Sequence, residues 1–112
     1  MLKSEIFLAD LSATSGSEQA GDRPVIVFQN DTISRYSRTT VVIPLTTNLK
    51  RAQIPGCVFL KKGEGGLLQD SVALCFQIRV LDNARLKQKI GKLSPAYTKK
   101  IEEALKFTLD IN

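Results

Sequence analysis

The sequence predicts a mainly β domain, a small barrel or a strongly curved sheet, with one helix appended at the C-terminus. Several short runs rich in β-branched residues are separated by turn-forming residues, which is typical of strands. A single segment with helical periodicity comes last. The length of 112 residues fits one hydrophobic core. We therefore expect residues 1–112 to form one domain.

The predicted strands are short apolar runs that end at glycine, proline or small polar residues. They cover residues 5–11, 25–28, 39–45, 56–60, 70–81 and 89–93, and the fifth is long enough to be bent. Residues 12–22 are dense in serine, threonine and glycine and predict a loop. Asn30 and Asp31 predict a turn, and Pro44 predicts a sheet edge or strand terminus.

Two of these strands are apolar at every position, in residues 25–28 and 41–45. Strands of this kind are buried on both faces. In so small a domain we expect a second subunit to supply part of that burial.

The C-terminal segment predicts a helix that packs on the sheet and carries no chemistry. Ser94 is a good N-cap and Pro95 suits the first helical position. Glu102 and Lys106 are spaced to pair on the outer face. The inner face is expected to hold Tyr97, Ile101, Ala104, Leu105, Thr108 and Leu109.

The charge balance points to a polyanionic partner. Sixteen basic residues against 11 acidic residues give a net charge of +5 and a pI near 9.4. Nucleic acid is the first candidate partner, although a merely soluble basic protein has the same balance. The charges are scattered, and no run of like charges forms a tail.

The absence of histidine excludes several kinds of catalysis. Ser–His and Cys–His nucleophiles and a two-histidine ribonuclease mechanism all need that residue. Cys57 and Cys75 match no zinc spacing, and Cys75 lies in an apolar run that predicts a buried thiol. No metal or other cofactor is expected. No signal peptide or membrane-spanning stretch is recognisable, so a cytoplasmic location is expected.

An ordered set of short motifs covers nearly the whole chain, from Lys3 to Leu109. The set begins with the stretch at residues 21–31, GDRPVIVFQND, and continues with SRT at 37–39, VIPLT at 42–46, GL at 66–67, DSV at 70–72, QIR at 77–79, LD at 81–82, RL at 85–86 and IG at 90–91. Together these motifs resemble the MazF/PemK family. Ser4 departs from the pattern where the family usually has glycine, and Arg38 departs where proline is frequent.

The resemblance implies a Src-homology-3-like barrel of the MazF/CcdB toxin type, assembled as a homodimer. It implies the toxin of a type II toxin–antitoxin pair, a metal-independent endoribonuclease that cuts single-stranded RNA at specific sequences. The products would be a 2′,3′-cyclic phosphate and a 5′-hydroxyl. It also implies a MazE-like antitoxin whose disordered C-terminal segment lies over the RNA groove.

Arg23 and Thr46 match the catalytic arginine and threonine of that family. The Arg23 guanidinium can donate two parallel hydrogen bonds to phosphate oxygens, and Pro24 restricts Arg23 to extended conformations. The hydroxyl of Thr46 can donate one more. Without the resemblance, each would be interpreted as an ordinary residue: a surface arginine in a salt bridge, and a β-branched strand residue.

Further polar residues are candidates for contacts with RNA bases, although polar loop residues are usually only solvated. They are Ser17, Glu18, Gln19, Asn30 and Gln77, and Glu18 is also a backup proton acceptor. Phe28, Tyr36 and Phe76 can stack on bases. Phe28 and Phe76 are better explained as core residues.

Two alternative functions fit the same fold. CcdB-type gyrase poisons share the architecture and bind a protein rather than RNA. A binding module with a basic groove would hold nucleic acid or peptide without turnover. The motifs around Arg23 and Thr46 belong to the ribonuclease branch and favour the nuclease.

Overall fold

The computed structural model describes residues 1–12 and 21–112. In these two segments the strands are β1 Glu5–Asp10, β2 Asp22–Val27, β3 Thr39–Thr46, β4 Cys57–Leu60, β5 Ser71–Leu74, β6 Arg79–Asp82 and β7 Leu86–Lys92. The helices are α1 Asp31–Tyr36 and α2 Pro95–Thr108. Short 3-10 turns lie at Leu49–Gln53, Glu64–Gly66, Cys75–Gln77 and Asn83–Arg85.

The strands form one antiparallel sheet in the order β4-β5-β3-β2-β1-β7, and β6 also pairs with β3. The first half of β3 pairs with β6, and its last residues, Leu45 and Thr46, pair with β5. The long bent strand predicted for residues 70–81 is therefore two strands, β5 and β6, separated by the turn at Cys75–Gln77. The mainly β prediction with a C-terminal helix is confirmed.

Both faces of the central strands are buried by this chain alone. On one face, Ile6, Ile26 and Ile43 are neighbours across the sheet and share a core with Ile101 of α2. On the other face, Val25 and Val42 belong to a second core, built with β1, β6 and β7. Apolar burial on both faces therefore does not require a second subunit.

Pro44 lies in a central strand, so the prediction of a sheet edge is wrong. It pairs with Val25, the last pair in the register between β2 and β3. Proline has no N–H to donate to a neighbouring strand. The prediction of a terminus therefore holds for the pairing with β2, while β3 itself continues to Thr46.

The predicted C-terminal helix is confirmed with its cap. The Ser94 hydroxyl accepts from the N–H of Tyr97, and Pro95 is the first helical residue. The expected Glu102–Lys106 pair is replaced, because Glu102 accepts from Lys3 Nζ at 2.9 Å and Lys106 lies nearest Glu103. Leu109 follows the helix and is exposed, not part of its inner face.

The turn expected at Asn30 and Asp31 is instead the start of α1. The Asn30 side chain accepts from the N–H of Thr32 at 2.8 Å and from that of Ile33 at 3.4 Å, which caps the helix. Asparagine favours turns and helix caps through the same hydrogen bonds. The sequence therefore indicates the local hydrogen bonding of Asn30, but it does not predict the six helical residues that follow.

Ser4 explains why the family usually places glycine before the first strand. Its φ is +77°, in the left-handed region that glycine enters freely and other residues enter at a cost of about 1–2 kcal/mol. The side chain is buried and its hydroxyl lies 2.9 Å from that of Thr98 on α2. In this chain the hydrogen bond offsets the strain and links the start of β1 to the helix.

Glu5 is the buried carboxylate of the sheet, and we expect it to make stability depend on pH. Burial raises the pKa of Glu5, but the Leu2 N–H and the Lys89 ammonium outweigh this and lower it overall. Because the pKa of Glu5 is lower in the folded state than in the unfolded state, the ionised carboxylate stabilises the fold at pH values above its unfolded-state pKa. This stabilisation is lost as the pH falls through the folded-state pKa. Glu5→Gln should therefore lower the free energy of unfolding by about 1–3 kcal/mol at pH 7 and by much less at pH 3.

Urea unfolding at the two pH values measures this difference. Glu102→Gln is the matched control, because Glu102 also pairs with a lysine but both side chains are 40% exposed. Glu102→Gln should destabilise the fold much less than Glu5→Gln at pH 7. An equal loss for Glu5→Gln at pH 7 and pH 3 would contradict the assignment.

Candidate active site

Arg23 and Thr46 belong to neighbouring strands, β2 and β3, and each lies two residues beyond the last residue that pairs these strands. The pairing of β2 with β3 runs through Val27↔Val42, Ile26↔Ile43 and Val25↔Pro44. The same register continued by two residues places Arg23 opposite Thr46, beyond the last paired residues. Directly opposite residues point to the same face of a sheet. The strand order thus makes neighbours of two strands whose candidate residues are far apart in sequence.

The face that carries this pair is the one turned away from α2. Leu45, next to Thr46, points into the core that contains Ile101 of the helix. Successive side chains of a strand alternate between faces, so Thr46 points to the other side. There it shares a cross-strand row with Val72 of β5 and Phe59 of β4. The helix packs on the Leu45 side of β3, and Thr46 points to the other side.

Thr46 is held in a fixed position, and its hydroxyl proton remains available. The residue is 7% exposed and its Oγ1 accepts from the N–H of Asn48 at 3.2 Å. A hydroxyl oxygen that accepts one hydrogen bond can still donate its proton to another acceptor. The contact with Asn48 therefore orients the hydroxyl without occupying its donor.

Arg23 combines a fixed backbone with an exposed side chain. Its Cα pairs with that of Ala9 in β1. The adjacent Asp22 accepts from Lys87 Nζ at 3.1 and 3.2 Å, which ties the start of β2 to β7. Because neighbouring residues alternate between faces, this ion pair lies on the opposite side of the strand from the Arg23 side chain.

Asn30 and Gln77 are placed differently from the catalytic candidates. Asn30 lies beyond the opposite end of β2 from Arg23, about 20 Å away along the strand. Its side-chain oxygen is used to cap α1. Gln77 is half-buried in the turn between β5 and β6, alongside β3. Within one chain, Asn30 is not brought to Arg23 and Thr46. Ser17, Glu18 and Gln19 lie outside the described residues.

Phe76 and Arg51 form a contact that the sequence does not predict. Phe76 was interpreted as core, yet it is 40% exposed, and the Arg51 guanidinium lies over its ring at 5.7 Å from the centroid. Phe28 packs partly against the core, as interpreted, with Lys3 over its ring. Tyr36 is fully solvated on α1. Arg51 carries no sequence signal that separates it from other basic residues.

The cysteines are not poised as nucleophiles. Burial raises the pKa of Cys75 to about 12, and the neighbouring Cys57 adds to the effect. Burial also raises the pKa of Cys57, despite the nearby Arg51. A thiol is nucleophilic only as the thiolate, so both are poor at neutral pH. The prediction of a buried Cys75 is confirmed.

Neither a metal cluster nor a membrane-spanning helix is found in the described segments. Within residues 1–12 and 21–112, no three His, Cys, Asp or Glu side chains are grouped so that they can hold a metal ion. Over the same residues, no helix has the length and apolar character needed to cross a bilayer.

Comparison with known proteins identifies the family of this chain. Residues 3–109 match the family described as PemK-like, MazF-like toxin of type II toxin-antitoxin system. The endoribonuclease MazF of Staphylococcus saprophyticus is 42% identical over 112 residues, which cover 100% of this chain and 93% of that protein.

Solved structures share the fold. A mycobacterial endoribonuclease, solved with its cognate antitoxin, has a TM-score of 0.84 at 24% identity and covers 100% of this chain and 97% of its own. MazF of Deinococcus radiodurans has a TM-score of 0.83 at 20% identity, and the match covers 97% of this chain and 96% of that protein. On the match over nearly its full length, the chain belongs to the PemK/MazF family of toxins from type II toxin–antitoxin systems.

Proposed function

We propose that this toxin is a metal-independent endoribonuclease that cuts single-stranded RNA at a specific sequence. A base takes the proton of the substrate's own 2′-hydroxyl, and the 2′-oxygen attacks the adjacent phosphorus. The 5′-oxygen of the next nucleotide leaves and takes up a proton from the solvent. The products are a 2′,3′-cyclic phosphate and a 5′-hydroxyl. The relative from Staphylococcus saprophyticus, an endoribonuclease at 42% identity, supports RNA as the substrate.

Arg23 and Thr46 supply the donors that this reaction needs. Negative charge grows on the non-bridging phosphate oxygens as the 2′-oxygen attacks. The guanidinium of Arg23 can donate two parallel hydrogen bonds to these oxygens, and the Thr46 hydroxyl can donate a third. A guanidinium keeps its proton in proteins and is a poor base, so we assign charge stabilisation rather than proton transfer to Arg23. Glu18 is our candidate proton acceptor.

The observation that carries the proposal is the register of β2 and β3. Continued by two residues, this register would set the exposed Arg23 opposite Thr46, whose hydroxyl accepts from the N–H of Asn48, and this supports a joint role for the two residues. A site of this kind stabilises a transition state because its donors are already fixed before the substrate binds.

The toxin works, in this proposal, as a cytoplasmic homodimer held inactive by a MazE-like antitoxin. Two subunits at +5 each give a dimer of +10, since 5 + 5 = 10. An acidic antitoxin segment would complement that charge where it covers the RNA site. Two relatives from Deinococcus radiodurans and a mycobacterium were solved as toxin–antitoxin complexes, which supports such a partner.

A CcdB-type gyrase poison is the less favoured alternative. The chain matches the PemK/MazF family along residues 3–109, and its 42% identical relative is an endoribonuclease. The fold by itself is shared by both kinds of toxin, so the distinction comes from this match and from Arg23 and Thr46.

The proposal is tested by incubating the purified toxin with a long single-stranded RNA in excess EDTA and mapping the product ends. We expect discrete cuts at one short repeated motif, with cyclic-phosphate and 5′-hydroxyl ends. Arg23→Ala protein from the same purification controls for contaminating ribonucleases. Intact RNA with folded, antitoxin-free toxin would reject the proposal and make gyrase binding the next assay.

A further inference from the structure

Phe76 is held at the surface next to a buried segment. The preceding residue, Cys75, is 0% exposed, whereas 40% of Phe76 is accessible to solvent. Both belong to the 3-10 turn at Cys75–Gln77, which interrupts the pairing of β3 with β5 and β6. The turn thus leaves part of an aromatic ring at the surface, and this exposed part does not contribute to the burial of apolar area.

Arg51 lies against the Phe76 ring. Its guanidinium lies over the Phe76 ring at 5.7 Å from the centroid. Two other cation–ring contacts in the described part of the chain differ, because lysines lie over Phe28 and Tyr97, whose rings pack against the core. A guanidinium is planar and can itself stack on a base, whereas the ammonium of a lysine offers only a point charge.

Both members of the pair are connected to Thr46 through neighbouring residues. Arg51 belongs to the turn Leu49–Gln53, which Asn48 caps, and the N–H of Asn48 donates to Thr46 Oγ1. Phe76 is four residues beyond Val72, the partner of Thr46 in β5. Four residues of extended chain span about 13 Å, which sets the upper limit along that strand. Nucleotides flanking a phosphate held at Thr46 are within reach of the pair.

We propose that Phe76 and Arg51 form a stacking subsite for one unpaired nucleobase beside the scissile phosphate. The inference rests on the proposed ribonuclease function and names a recognition element for it. Unpaired RNA bases stack on aromatic rings and on guanidinium planes. Because every nucleobase has a flat aromatic face, stacking at this subsite would position the RNA strand without selecting a base. Hydrogen bonds from other residues would select the base.

The test uses a short RNA that contains the cleavage motif, with 2-aminopurine substituted at each flanking position in turn. A 2′-deoxy sugar at the cut makes this RNA uncleavable, so its binding is measured on the wild-type toxin. At one position we expect strong fluorescence quenching that is lost in Phe76→Ala. The dissociation constant should rise roughly 5- to 100-fold, the range for loss of one base–aromatic stack.

Further variants separate stacking from charge and from folding. Phe76→Tyr should retain affinity and quenching, while Arg51→Lys keeps the charge and should lose part of the quenching. On cleavable RNA, Phe76→Ala should raise KM more than it lowers kcat, as expected for a positioning residue. Phe107→Ala is the matched control, because Phe107 is 66% exposed but lies on α2, behind the site.

The outcomes distinguish this subsite from the function on which it rests. A toxin that cuts RNA, but whose folded Phe76→Ala variant keeps wild-type KM and quenching, would overturn the subsite alone. If Phe76→Ala does not fold, the same readouts on Arg51→Ala decide. A wild-type toxin that cuts no RNA would reject the ribonuclease proposal itself.

Discussion

Arg23→Ala should lower the rate of RNA cleavage about 10²- to 10³-fold while the protein stays folded. Loss of one donor to the charge of a transition state typically has an effect of this size. The fold should tolerate the change, because the Arg23 side chain is exposed and its backbone pairing with Ala9 does not depend on it. Single-turnover cleavage of a short RNA measures the effect on the chemical step.

Arg35→Ala is the matched control for charge. It removes the same guanidinium from an exposed position on α1, beyond the far end of β2. We expect only the small loss of affinity that one less positive charge causes. Full activity of a folded Arg23→Ala protein would exclude the proposed role of Arg23.

Thr46→Ala should slow the same step, and Thr46→Ser should keep most of the activity. The two donors act on one phosphate, so their effects should not be additive. We expect the double variant Arg23→Ala, Thr46→Ala to be less impaired than the product of the single losses. Independent, multiplicative losses would indicate that the two residues act at different steps.

A single 2′-deoxy sugar immediately 5′ of the scissile phosphate should abolish cleavage. The proposed nucleophile is the 2′-oxygen of that nucleotide, and without it no cyclic phosphate can form. This effect should exceed that of any protein variant, because the reaction loses a reactant and not only a stabilising contact.

The same RNA with the deoxy sugar moved to the 3′ side of the cut is the control. It has the same number of hydroxyls, binds the same groove and should be cut at close to the normal rate. Persistent cleavage of the first substrate would show that water is the nucleophile, and Arg23 and Thr46 would then serve a hydrolytic reaction.

The sequence predicted the parts of the fold that depend on local patterns. Alternating and β-branched runs located the main strands, and Ser94 with Pro95 located the start of α2. Single contacts were less predictable. Glu102 pairs with Lys3, near the other end of the chain, so helical spacing to Lys106 gave the wrong partner.

The candidate site shows the same division. Arg23 and Thr46 came from a resemblance, since neither a surface arginine nor a strand threonine is distinctive by itself. That they belong to neighbouring strands follows from the pairing of β2 with β3, which only the folded sheet defines. Phe76 was predicted as a stacking candidate but favoured as a core residue, and the turn at Cys75–Gln77 that exposes it has no clear sequence signature.

The burial of β3 on both faces has a consequence for inhibition. Thr46 cannot shift without disturbing Leu45, Val72 and the two cores between which the strand lies. Interiors packed in this way resist gradual deformation. Amide hydrogens of β3 should therefore exchange only through global unfolding. An inhibitor is therefore not expected to act by deforming this site. It should act by binding at the site and excluding the RNA.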